Sequence, residues 1–166
     1  MTYNEKIVKN LSRIIPQRGQ VEWIGIRPKK RSDLSIVKYI LINKNAGIVG
    51  DHFGGNNSRK RQVTLMQKEH LDVISSILGR KSLDPKLTRR NIVVSGINLL
   101  SLKHRQFRIG GEVILETTGI CAPCSRMEEA LGKGGYNAMR GHGGITATII
   151  QDGKIELGDA VEVHEV

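Results

Sequence analysis

The sequence predicts a mostly β protein with short helices (α+β), a barrel of short strands interrupted by helical inserts. Three observations predict it. Strand-sized apolar runs recur along the 166 residues, each bounded by turn signals. Glycine is abundant, at 19 residues. Helical periodicity is confined to a few short stretches, so strands do not alternate with long helices as in serial βαβ units.

The elements follow in chain order. Residues 4–15 carry Ile7, Leu11, Ile14 and Ile15 at helical spacing and stop at Pro16, which predicts a peripheral helix packed on the body. Residues 1–19 are thus a helical extension, and 20–166 form a single domain. Val21 to Ile26 reads as a first strand. Ile36 to Ile42 reads as a second, apolar on both faces. Asn43 to Gly47 is a turn. Gly50 to Ser58 is a long polar loop with three glycines, the kind of segment that often carries function. Gln62 to Leu65 is a short strand. Gln67 to Leu78, with apolar residues at 71, 74, 77 and 78, is a helix closed by Gly79. Asn91 to Val94 is a strand, and Ile97 to Leu102 is an apolar patch between turns. Phe107 to Gly111 leads into a strand whose Val113, Leu115 and Thr117 alternate with other positions. Ile145 to Ile150 and Lys154 to Leu157 flank Asp152-Gly153, which predicts a hairpin. Gly158-Asp159 then turns the chain into a last strand, Ala160 to Val163. The pattern contains no internal repeat and no low-complexity tract.

The length suits one domain with its own core, needing no disulfide. No stretch approaches the roughly 20 apolar residues of a membrane helix. The first residues lack the apolar block of a signal peptide. A cytoplasmic protein without a membrane partner is therefore expected, and its thiols stay reduced. The net charge is +10, with basic clusters at Arg27-Pro28-Lys29-Lys30-Arg31, Arg59-Lys60-Arg61 and Arg89-Arg90. Such a surface favours anionic partners: nucleic acid, phosphorylated cofactors or an acidic protein. It is equally what solvated loops of a basic protein present. One Trp, three Tyr and two Phe leave no stacking platform for bases.

The two cysteines, Cys121 and Cys124, form a C-x-x-C between a strand-like run and a short helix ending at Leu131. Pro123 suits a first helical position, and Ser125 with Glu128 has capping-box spacing. Either assignment puts Cys124 at the helix N-terminus, where unpaired N–H groups and the dipole favour a thiolate, the species that attacks sulfur or binds metal. Arg126 adds a positive charge. Structural zinc is not expected: there is no second C-x-x-C, and His52, His70, His104, His142 and His164 lack ligand spacing. A thioredoxin-like pair, two inert buried thiols, and a single reactive Cys124 supported by Cys121 remain open.

Gly132-Lys133-Gly134-Gly135 and Arg140-Gly141-His142-Gly143-Gly144 follow closely. Their glycines let backbone N–H groups face an oxyanion, with Arg140 as a bidentate donor. They also suit plain connections into the last strands. His142 reads as a loop anchor ahead of a ligand or proton shuttle.

The ordered set Gly47-Ile48-Val49-Gly50-Asp51, Arg61-Gln62-Val63-Thr64-Leu65, Arg89-Arg90-Asn91-Ile92, Phe107-Arg108-Ile109-Gly110, Glu116-Thr117-Thr118-Gly119, Cys121-Ala122-Pro123-Cys124, Met127-Glu128, Arg140-Gly141-His142-Gly143-Gly144 and Gly158-Asp159 resembles the MOSC domain, named for the C-terminal domain of molybdenum cofactor sulfurase. The likeness spans roughly residues 20–164. It implies a MOSC-type β-barrel and a hallmark cysteine, matched best by Cys124, that ligates molybdenum or carries sulfur, with Cys121 as its catalytic neighbour. It further implies a pyranopterin molybdenum cofactor, anionic through its phosphate, held by Arg61, Arg89, Arg90, Asn91, Thr117, Arg140, His142 and Gly143. Family members include the sulfurase domain and reductases of N-hydroxylated compounds. No separate N-terminal barrel, pyridoxal-phosphate desulfurase, iron–sulfur or flavin domain accompanies the likeness. A sulfurtransferase or cofactor-dependent oxidoreductase component is thus expected to work with a cysteine desulfurase or a molybdoenzyme. A basic barrel that binds nucleic acid or an acidic protein is the alternative.

Overall fold

The computed structural model describes residues 1–52 and 59–165. Of the polar loop expected over 50–58, residues 53–58 lie outside the described residues. The chain orders as α1 (Tyr3–Leu11), β1 (Gly19–Ile26), β2 (Ser35–Ile36), β3 (Tyr39–Asn43), β4 (Gly47–Ile48), β5 (Val63–Gln67), α2 (Lys68–Ile77), β6 (Ile92–Ser95), β7 (Gln106–Ile109), β8 (Val113–Ile120), α3 (Ser125–Leu131), α4 (Gly135–Met139), β9 (Ile145–Gln151), β10 (Gly153–Glu156) and β11 (Ala160–Val163). Short 3-10 turns cover Arg59–Arg61, Pro85–Thr88 and Leu99–Leu102.

Seven strands close a barrel in the order β1, β11, β7, β8, β9, β5, β6 and back to β1. Closure leaves these strands without an open edge. β5 and β6 run parallel, and α2 is the crossover that a parallel pair requires. One βαβ unit therefore sits inside a barrel whose other pairings are antiparallel. β2 hangs on β1, and β10, β3 and β4 form a separate small sheet.

The period of two along the strands explains two cores. Leu65, Ile92 and Val94 point into the barrel with Ile24, Phe107, Leu115 and Ile145. Met66 and Val93, one residue out of phase, point outward and are covered by Leu71 and Ile74 of α2, Met127 and Leu131 of α3, and Met139 of α4. Hence all five residues of β5 are buried.

Four expectations need correction. The hairpin over 145–157 does not form: β9 pairs with β8 and β5, whereas β10 leaves for β3. Asp152 fixes this corner by accepting from Lys44 N at 2.7 Å and Asn43 Nδ2 at 3.2 Å. The strand over 36–42 breaks in two, because Val37 N still donates to Ile24 O while Tyr39 onward joins β10. α1 ends at Leu11 and buries no residue. Its start is set by a capping box between Thr2 and Glu5. Finally, Pro123 and Ser125 do not take the predicted cap positions. Cys124 is the N-cap of α3, and Glu128 turns forward to accept from Gly134 N at 2.7 Å and Tyr136 N at 2.8 Å. The cap of α4 is Gly134, which has no side chain, so the Glu128 carboxylate supplies what that helix start lacks.

Candidate functional site

Strand register brings the site together. Leu65 is level with Ile92 and Ile145, and Ile145 with Ile120. The residues just beyond these levels are Cys121 after β8, Gly143-Gly144 before β9, and Arg90-Asn91 before β6. They converge on one rim of the barrel. Cys121 N donates to Gly144 O at 2.9 Å, extending the β8–β9 ladder past its end.

Arg90 binds this rim together. It is 5% exposed, and its guanidinium donates from Nε to Gly143 O at 2.8 Å, from Nη1 to Thr88 O at 2.8 Å and from Nη2 to Cys121 O at 3.1 Å. Burial holds it below the ordinary arginine range. The Cys121 and Cys124 sulfurs pull the other way, and Arg61 adds to the depression. All three partners are neutral carbonyls, so Arg90 is a structural clamp that leaves positive charge under the cysteines. The loop it grips has no room for a side chain at Gly143, where a Cβ would fall on the Cys121 carbonyl oxygen. Gly144 has φ +83° and abuts the Leu65 backbone.

The two cysteines differ. Cys121 is fully buried, and Arg61 Nη2 donates to its Sγ at 3.6 Å. Cys124 is exposed, in extended backbone at the start of α3, and its side chain makes no cap hydrogen bond. Beside it lies a cleft of about 440 Å³ lined by Arg31, Arg89, Ser125, Arg126, Glu129 and Ala130. Burial lowers the Arg89 guanidinium from its ordinary value, and the charges of Arg27 and Arg126 lower it further, against Asp33 and Cys124. Arg89 Nη2 and Arg27 Nε are buried without a hydrogen-bond partner. Guanidinium groups are planar donors whose chemistry matches oxyanions. Arg89 is set there by a left-handed backbone, φ 58°, closing the Pro85–Thr88 turn.

The other expected residues do not line this cleft. Asn91 is buried. Its Oδ1 accepts from Thr64 N and Oγ1 at 3.2 and 3.0 Å, and its Nδ2 donates to Gly25 O at 3.2 Å and to Asp51 Oδ1 at 3.5 Å. It fastens β1, β5 and β6 together. Thr117 is buried on β8 with its Oγ1 unpartnered. Arg140 is exposed and donates to Asn137 Oδ1 at 3.4 Å, within its own turn. His142 sits edge-on to His70 at 5.1 Å between ring centroids, with Nδ1 buried and unpartnered. Sequence patterning missed Arg27, Arg31 and His70. The first two belong to a basic cluster visible in the sequence, but only folding shows which of its charges turn inward. No cluster of three or more His, Cys, Asp or Glu is arranged as a metal site among the described residues.

The MOSC domain pattern matches residues 49–162. No curated protein matches the chain. The YUAD protein from Bacillus subtilis superposes with a TM-score of 0.78 at 21% identity, covering 92% of this chain and 100% of its own. YiiM from Geobacillus stearothermophilus gives 0.73 at 16% identity, covering 89% and 75%, and YiiM from Escherichia coli 0.68 at 15%, covering 89% and 70%. At these identities the structures attest the fold, a closed seven-strand barrel with helices on its flank. With the pattern spanning more than half of its length, the chain belongs to the MOSC domain family.

Proposed function

We propose that this protein binds the molybdenum cofactor, with Cys124 as metal ligand or persulfide carrier. The observation that carries the proposal is an exposed thiol at a helix start beside a cationic cleft with unspent donors. The residues fit the group. A thiolate is a soft ligand suited to a heavy metal, and one protein sulfur leaves other coordination positions open. The cleft volume lies within the roughly 300–1,000 Å³ of small-molecule sites. Arg89, Arg31 and Arg126 would take the phosphate, as planar donors match oxyanions bidentately. When bound, the cofactor supplies a redox-active metal able to accept sulfur or oxygen.

The chain's own residues do the rest. Arg90, Gly143 and Asn91 hold the rim in shape and Arg61 fixes the Cys121 sulfur, whereas Thr117, Arg140 and His142 do not line the cleft. In the carrier role, the Cys124 thiolate attacks the terminal sulfur of a persulfide on a pyridoxal-phosphate cysteine desulfurase. A new S–S bond forms on Cys124, the donor's S–S bond breaks, and its thiolate leaves, so no outside oxidant is needed. The reducing cytoplasm keeps Cys124 in the free form this requires.

Incubation with a cysteine desulfurase and cysteine, followed by peptide mass spectrometry, tests the carrier role. The expected result is one added sulfur atom on Cys124 and none in a Cys124→Ser variant. Cys124 that gains no sulfur refutes that role, and the ligand role then stands or falls on molybdenum retention.

A further inference from the structure

The outer face of the small sheet is apolar where solvent-facing strand positions ordinarily are polar. Along β3, Ile40 and Ile42 point into the core, so Tyr39 and Leu41 point out. Val49 N donates to Leu41 O at 2.9 Å, which sets Val49 beside Leu41. Ile36, Tyr39, Leu41 and Val49 are 58%, 56%, 48% and 55% exposed. They are not scattered: Tyr39, Leu41 and Val49, with Ile26, Val37 and Lys38, line one groove of about 520 Å³.

The charged rim of the groove is mostly cationic, and the one acid level with Tyr39 across the β3–β10 pair, Glu156, is matched by Lys154 at 3.1 Å. Lys38 lies in the groove, and the turn from β1 to β2 holds Arg27, Lys29, Lys30 and Arg31 against a single acid, Asp33. The same turn links groove and cleft, since Ile26 and Val37 at its ends line the groove while Arg31 lines the cleft beside Cys124. A second copy of this chain would set this cationic rim against another surface of a protein carrying net charge +10. Nucleic acid would find one exposed ring, Tyr39, already under Lys154 at 5.6 Å. An apolar centre with a cationic rim instead complements a protein with apolar anchors and flanking carboxylates.

We propose that this face is the docking surface for an acidic protein partner, which seats apolar side chains on Tyr39, Leu41 and Val49 and carboxylates on the 27–31 turn, at the edge of the Cys124 cleft. The surface stands whether or not the cofactor proposal holds.

Fluorescence anisotropy on the full chain tests it, with a labelled peptide of alternating Val and Leu flanked by Glu at both ends, and a Lys-flanked copy of the same core. Binding of the Glu-flanked peptide is expected, weakening with salt, and roughly tenfold or more weaker in Leu41→Glu and in Lys29→Glu/Lys30→Glu. Tyr39→Ser, a milder change at an exposed position, guards against misfolding and should also weaken it. Cys124→Ser should bind as wild type does, which separates this result from the fate of the cofactor proposal. Absent binding, equal binding of the Lys-flanked peptide, or indifference to all three groove and rim variants overturns the proposal. So does displacement of the peptide by an oligonucleotide, or self-association in sedimentation that Leu41→Glu abolishes, since each assigns the face to a different occupant.

Discussion

Arg90 and Arg140 carry the same charge and opposite tasks. Arg90 is buried and satisfies three carbonyls, whereas Arg140 reaches only its own turn. Replacing Arg90 by Met leaves those carbonyls unpaired and should cost about 2–4 kcal/mol. Arg140→Met should stay within about 0.5 kcal/mol, both read from urea midpoints. Gly144→Ala joins the costly class: φ is +83°, and the added Cβ meets the Leu65 backbone, which cannot swing aside as a side chain would. A loss of about 2–4 kcal/mol is expected. At this scale the sequence was informative about Cys124, because a C-x-x-C before a helix start is a local pattern. It was mute about Arg90 being a buried clamp while Arg140 stays exposed. That depends on carbonyls supplied by residues 88, 121 and 143, far apart in the chain.

The elements show where local signals win and where the barrel overrides them. β5 was legible as a strand, but its burial on two faces depends on α2, α3 and α4 covering Met66. The hairpin over 145–157 failed although Asp152-Gly153 is a good turn pair, because β10 gains four paired positions on β3 instead. Turn chemistry proposes a partner strand; long-range register decides. α1 has clear helical periodicity and a capping box yet no buried residue, so its formation does not depend on the barrel core. Ile7→Ser should therefore change global stability by no more than about 0.5 kcal/mol. Met66→Ala, in contrast, opens a cavity between barrel and helices and should cost about 2–5 kcal/mol. Thermal or urea unfolding of the two variants checks both; a large loss from Ile7→Ser means the helix is anchored in solution.

For the whole molecule, the barrel sets the cysteine rim and the helical flank together, and this couples stability to pH through His70. Burial, then the charge of His142, holds the His70 imidazole below its ordinary 6.5, with Glu69 opposing. The unfolded chain therefore takes up a proton at a pH where the folded chain does not. Stability from this group is complete above about pH 6.5 and declines as pH falls through the window below it. Urea midpoints should drop on acidification from about pH 7.5 to about pH 5, and His70→Gln should flatten part of that slope. A steeper slope in His70→Gln would reverse the assigned sign. Fold class was legible at this scale because turn signals and short apolar runs recur throughout; closure of seven strands was not, since it is a property of register between distant strands. Among the described residues no helix is long and apolar enough to cross a membrane.

The most direct test of the central claim is the molybdenum and pterin content of protein made in a cofactor-competent host, for wild type and Cys124→Ser. Wild type is expected to hold stoichiometric molybdenum and pterin, with the metal lost from the variant. Equal molybdenum in both proteins, or none in either, contradicts a cofactor site built on Cys124.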